Sequence, residues 1–181
     1  MLIAEKLRKS NIAEYLLYMW QVEDLLRAFG LDFDKLKADY LSRFSGLADD
    51  ERQRMEEWYR QLIDMMHREG VTERGHLQIC KNVLINLSDL HHQLSTSDKY
   101  TYYQSAYTKV LPIVVTLRQK NGNREENELE TCFNFLYGNL LLRLQKKPVT
   151  ESTQQAVEQV TTFLAMLSDY YQKDQVEPLE F

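Results

Sequence analysis

Two cysteines, three prolines and six glycines in 181 residues remove several classes of protein at the outset. Cys80 and Cys132 stand alone, without a CxxC or Cys/His spacing, so the sequence gives no basis for a disulfide framework or a structural zinc site. Both read as small core residues. So little Gly and Pro disfavours a loop-rich or all-β chain. Long apolar runs are missing too: the longest, Tyr15–Trp20, is six residues, against the roughly 20 of a membrane span. The start MLIAEKLRKS puts charges where a secretory signal needs its apolar run. The expectation is a soluble, cytoplasmic protein without a membrane partner. Positive charge is sparse as well. The net charge is −5, and Lys146-Lys147 and Arg52/Arg54 are isolated, so a nucleic-acid partner, which would need clustered Lys and Arg to displace counterions, is not expected. There is no Gly-rich phosphate loop followed by Lys-Ser/Thr, and no segment alternates apolar and polar residues over more than a few positions.

What the chain does have is helical periodicity. Its organising stretch is Asn11–Phe29, where Asn11 with Glu14 three residues on makes a capping-box pattern and Gly30 supplies a stop. Ile12, Tyr15, Leu16, Tyr18, Met19, Val22, Leu25, Leu26 and Phe29 fill well over half its circumference, widened by Trp20, as suits a helix central to a bundle. Residues 1–10 read as a polar lead-in or a charged extension of this helix. A second helix runs from Asp32 or Asp34 to Phe44, a third from Asp49 to Glu69, and a fourth from a Thr72 cap to about Leu94. A fifth runs from Ser97 to about Lys120 with Pro112 inside it, where a kink is expected. The Asn121-Gly122 turn leads to a sixth, nearly all-apolar helix from about Glu125 to Lys146. A Thr150-capped seventh continues to about Lys173, and the tail 174–181 is loose or docked by Phe181. The expected fold is therefore all-α, a single compact bundle of about six to seven mostly antiparallel helices forming one domain over 1–181.

Three stretches carry a likeness: IAEYLLYMWQVEDLLRA, GVTERGHLQICKNVLINLSDLH and LETCFNFLYGNLLLRLQKK. Together they resemble a bacterial family of short all-helical proteins, the domain of unknown function numbered four-nine-two-four. The likeness spans nearly the whole chain. It implies a single helical domain, and it brings no activity, cofactor or catalytic residue with it.

Candidate sites are polar residues set in apolar arcs, because an unpaired buried charge is costly. Glu23 interrupts the first helix, Arg143 the sixth, and His91 continues the line of Cys80, Leu84 and Leu87, with His76 on the other edge of that arc. As a site, Arg143 would hold an anionic ligand that His91 or Glu23 orients, and Glu23 and Arg143 would meet in a partly buried ion pair. As plain structure, Glu23 pairs with Arg27, Arg143 reaches water and His91 is a hydrogen-bonded core residue. Asp64-x-x-His67 facing Glu73-x-x-His76 has the spacing of a di-iron bundle, but the helix-end positions and the Asp depart from that template, so no metal or other cofactor is expected. Asn82, Asn86, Asp89 and Gln93 form a polar stripe best read as solvated. Tyr100, Tyr102, Tyr103 and Tyr107 make either an aromatic groove or a core with wet hydroxyls.

No catalytic motif emerges. The first functional reading is thus a non-enzymatic binding or protein-interaction module, with another protein or a second copy as partner. Its warrant is apolar residues on the polar sides of helices: Leu17, Ile85, Leu141 and Leu142. The alternative is a small-molecule or enzymatic site around Glu23, His91 and Arg143.

Overall fold

The computed structural model describes residues 2–122 and 127–181. Among these there are eight α-helices, two single 3-10 turns and no strand: α1 (Leu2–Ser10), α2 (Ile12–Ala28), α3 (Phe33–Asp39), α4 (Asp49–Arg68), α5 (Gln78–Thr96), α6 (Thr101–Asn121), α7 (Glu128–Leu144) and α8 (Glu151–Val176), with the turns at Leu41–Arg43 and Asp98–Tyr100. The class is the expected all-α one. The count exceeds six to seven because the lead-in is itself helical and Asn11 separates it from α2.

Local chemistry sets most boundaries. The Asp32 side chain accepts from the N–H groups of Asp34 and Lys35 and so opens α3. At α4 the Glu51 carboxylate reaches back to the Ala48 N–H, 3.2 Å away. Ser97 caps the 3-10 turn before α6, Asn127 caps α7 and Thr150 caps α8. Gly122, at φ +69°, supplies the left-handed residue after α6. Pro112 lies inside α6 and removes the amide that would bond the Thr108 carbonyl. The expected start of α7 near Glu125 lies outside the described residues.

One boundary differs by five residues. The fourth helix, expected to follow a Thr72 cap, begins at Gln78, and 72–77 is irregular. Gly75 holds φ +86°, a conformation an L side chain resists, which keeps helical geometry from extending back.

The chain divides into two compact units, one of residues 1–9 and 14–82, the other of 10–13 and 83–181, so α2 and α5 each contribute to both. In the first, Leu16, Met19, Leu26, Leu36, Leu62, Met66, Leu77 and Cys80 are buried. There α3 packs on α4, a contact reinforced by Lys37 and Glu56 at 2.8 Å and by the Arg60 guanidinium over the Phe33 ring. In the second unit α6, α7 and α8 pack pairwise around Tyr103, Val114, Cys132, Phe133, Phe163 and Leu167. Here the Ser168 hydroxyl accepts from the Ala13 N–H at 3.1 Å, satisfying a first-turn amide of α2 from outside that helix. The tail is docked: the Phe181 ring lies 5.5 Å from Tyr100, whose hydroxyl donates to the Glu180 carbonyl.

Candidate functional site

In the first unit, α2 places Glu23 and Arg27 one turn apart and both serve the segment that joins α4 to α5. The Glu23 carboxylate, fully buried, accepts from the Leu77 N–H at 2.9 Å and from His76 Nδ1 at 2.6 Å. It therefore caps α5 from a different helix. Arg27 bonds Asp24 at 2.8 Å and donates to the carbonyls of Val71 and Gly75. The Trp20 indole stacks on the His76 ring at 4.1 Å and closes the group on one side. Cys80 lies under it, its thiol pushed well above the usual range by burial first and then by the Glu23 carboxylate. A thiol so buried is not a nucleophile at neutral pH. With Glu23 and Cys80 both buried and with Glu23 and Arg27 bonded to 71–77, this cluster fixes a loop.

The second unit holds a different arrangement, open to water. A cleft of about 280 Å³ is lined by Ser88, His91, His92 and Ser95 from α5, Tyr107 and Arg118 from α6, and Asn127 and Glu128 at the start of α7. Glu128 is its hub. The Tyr107 hydroxyl donates to Glu128 Oε2, His91 Nε2 lies 3.5 Å from that same oxygen, and Arg118 Nη1 lies 3.8 Å from Oε1. Behind them His91 Nδ1 meets the Tyr103 hydroxyl at 2.7 Å. If that hydroxyl donates, the imidazole carries its proton on Nε2, facing Glu128. The His91 ring is wedged edge-on against Tyr107 at 4.7 Å and Phe163 at 5.8 Å. Burial lowers the pKa of His91, with Glu128 opposing more weakly, so the ring is neutral at neutral pH. Burial and the Glu128 carboxylate both raise the pKa of Tyr107. Among the described residues the cleft thus presents the Arg118 guanidinium, the Glu128 carboxylate, the neutral His91 imidazole and several hydroxyl and amide groups.

A family model described as a domain of unknown function, DUF4924, matches residues 1–178. The chain belongs to the DUF4924 family. No curated protein and no solved structure matches it.

For this DUF4924 chain the residues singled out from sequence have three different fates. Glu23 is buried with partners from its own unit, and its pairing is with His76 rather than Arg27. Arg143 is exposed in the last turn of α7. The buried Glu23–Arg143 pair is therefore replaced by another partner for one residue and by solvent for the other, since a long side chain near a helix C-terminus reaches water at little cost. His91 alone lines a cleft. The Asp64/His67/Glu73/His76 corner comes apart as well: Asp64 pairs with Arg68 and His76 with Glu23. Among the described residues no group of three or more His, Cys, Asp or Glu is arranged to hold a metal ion. Asn82, Asn86, Asp89 and Gln93 are exposed. Of the four clustered tyrosines Tyr103 is core, Tyr107 lines the cleft, Tyr100 anchors the tail and Tyr102 faces water. Arg118 and Glu128 carried no signal of their own in the sequence, because they meet only after α6 and α7 have packed.

Proposed function

We propose that this family member is a binding protein rather than a catalyst, and that the cleft beside His91 takes a small polar ligand. The observation that carries the reading is the convergence of Arg118, Glu128, Tyr107 and a neutral His91 on one open hollow of about 280 Å³. That size lies just below the roughly 300–1,000 Å³ of pockets for drug-sized ligands, so the ligand is small. Against catalysis stand the nucleophiles: burial raises both thiols, Cys132 to about 12, and the Tyr103 hydroxyl that meets His91 has no access to a substrate. Two free, buried cysteines also suit a reducing, cytoplasmic setting. The membrane is not invoked, since among the described residues no helix is long and apolar enough to cross one.

A thermal-shift screen of small polar compounds tests the reading, run on wild type and on Ser95→Phe, which fills the cleft from α5. Compounds that stabilise wild type and not the variant support it. Absence of any stabilising compound, or hits indifferent to the substitution, would contradict it. A second reading, association with a protein partner or a second copy, is favoured by the exposure of Ile85, 53% accessible on α5. Leu17, Leu141 and Leu142, grouped with it in the sequence, are half-buried. Sedimentation of wild type and Ile85→Glu decides it: a concentration-dependent dimer lost in the variant supports association, and a monomer throughout removes it.

A further inference from the structure

We infer that the second unit carries a peptide-docking seat, filled in this structure by the chain's own tail, whose partner is an extended segment of another protein with a large apolar residue, an acid and an aromatic in that order. The seat is built from Lys99 and Tyr100 in the 3-10 turn before α6 and from Tyr170 and Asp174 near the end of α8. Tyr170 stands edge-on to Tyr100 at 5.5 Å and to the fully buried Tyr103 at 5.7 Å, so this aromatic wall is fixed from the core and does not owe its shape to the tail. Pro178 holds Glu177 extended, at φ −145° and ψ 117°, and the tail runs onto the wall. There the Asp174 carboxylate accepts from the Leu179 N–H at 2.9 Å, and Lys99 Nζ lies 3.5 Å from the Glu180 carboxylate. The Tyr100 hydroxyl donates to the Glu180 carbonyl at 3.1 Å, and the Phe181 ring packs 5.5 Å from the Tyr100 ring. Main-chain bonds with side-chain positions between them are the means by which extended peptides are recognised.

Two features let this occupant leave. Its contacts lie at the surface: the Lys99 and Glu180 side chains are 55% and 90% accessible, and Phe181 keeps 44% of its surface in water. The tail also spans a hollow of about 580 Å³, lined by Asp169, Gln172, Lys173 and Val176 of α8 and by 177–180, where a close-packed interior has no such space. It is therefore held at its tip. So short a tether presents the tail to the seat at an effective concentration on the order of millimolar, and a tail found seated implies that the same peptide in trans binds with a dissociation constant below that. The tail of a second copy offers no contact that the chain's own tail lacks, and it forgoes the tether. A foreign segment with a bulkier apolar side chain at the place of Leu179, which borders the hollow, gains burial that the tail does not have. That difference selects another protein as partner and makes the tail an internal competitor it must displace.

Fluorescence anisotropy with a labelled peptide of residues 175–181 is the test, run on two full chains, wild type and Glu180→Lys/Phe181→Ala, whose own tail no longer fits the seat. The expected result is saturable binding to the double variant below about 1 mM and binding at least tenfold weaker to wild type, where the tail competes. A peptide carrying Phe181→Ala should lose tenfold or more on the double variant, and one carrying Leu179→Trp should bind it more tightly than the parent peptide. Because these comparisons alter the peptide, they hold whether or not a seat variant such as Tyr100→Ala folds. Should the double variant itself fail to fold, Phe181→Ala alone takes its place. No saturation, equal affinity for the two chains, or indifference to the Phe181→Ala peptide overturns the seat. A Leu179→Trp peptide no tighter than its parent overturns the foreign partner, as does a wild-type dimer in sedimentation that the double variant abolishes. None of the seat residues lines the His91 cleft, so failure here leaves that reading untouched.

Discussion

Replacing Glu23 by alanine should cost the protein a substantial part of its stability through one loop. The substitution removes the side-chain acceptor of the Leu77 N–H, a buried donor at the entrance to α5. Leaving a buried N–H unsatisfied costs about 1–3 kcal/mol. Lost burial of one methylene adds about 0.8 kcal/mol. The expected destabilisation is therefore about 2–4 kcal/mol, large against the roughly 5–15 kcal/mol of an ordinary domain. Glu23→Gln keeps the volume and an acceptor for Leu77 and changes only the contact to His76, so it should cost about 1 kcal/mol. His76→Ala should fall between them, below the roughly 3–5 kcal/mol of breaking a fully buried pair, because the His76 side chain is one-third accessible. Urea unfolding followed by tryptophan emission reads all three, since Trp20 stacks on His76 and reports the loop directly. A Glu23→Ala protein within about 0.5 kcal/mol of wild type, the range of inconsequential surface changes, would refute the reasoning. So would a Glu23→Gln variant as unstable as the alanine one.

Cys80 and Cys132 should resist a thiol reagent at pH 8 in the folded protein and both react in denaturant; fast labelling of either in the native state would contradict their burial. The depressed pKa of His91 gives stability that is fully present above the unfolded-state value near 6.5 and is lost as pH falls from there through the lower folded value. His91→Gln should accordingly show a flatter stability profile than wild type below about pH 6.5, and parallel profiles would refute the assignment. Asn127→Ala removes the acceptor for the Leu129 and Glu130 N–H groups and should cost about 1 kcal/mol of stability in urea unfolding; no change would mean that α7 is capped otherwise.

How much of this was legible beforehand depends on how far apart in sequence the interacting groups lie. The helices were readable because their signals are local: the apolar arc of α2, the Asp32 and Thr150 caps, the Asn121-Gly122 turn. Pattern fails where a distant side chain decides a boundary. Thr72 looks like a cap, yet α5 begins at Gln78 because Glu23 and Arg27, some fifty residues earlier, hold 71–77 in another conformation. The site divides along the same line. Glu23 and His91 stood out as polar residues in apolar arcs, and both are buried. Arg143 met the same criterion and is exposed, because a seam drawn on a helical wheel ignores where the helix ends. Arg118 and Glu128 were invisible because each, alone, is an ordinary charged residue near a helix terminus. Only the packing of α6 against α7 makes them neighbours.

The central claim, that ligand binding belongs to the cleft of the second unit and not to the buried cluster of the first, is tested most directly by mapping backbone amide NMR shifts during titration with the best compound from the polar screen. The perturbed amides should cluster at Ser88, His91, Tyr107, Arg118 and Glu128, with those around Glu23, His76 and Leu77 unmoved. Saturable shifts centred on Glu23 and His76, with the cleft silent, would contradict it.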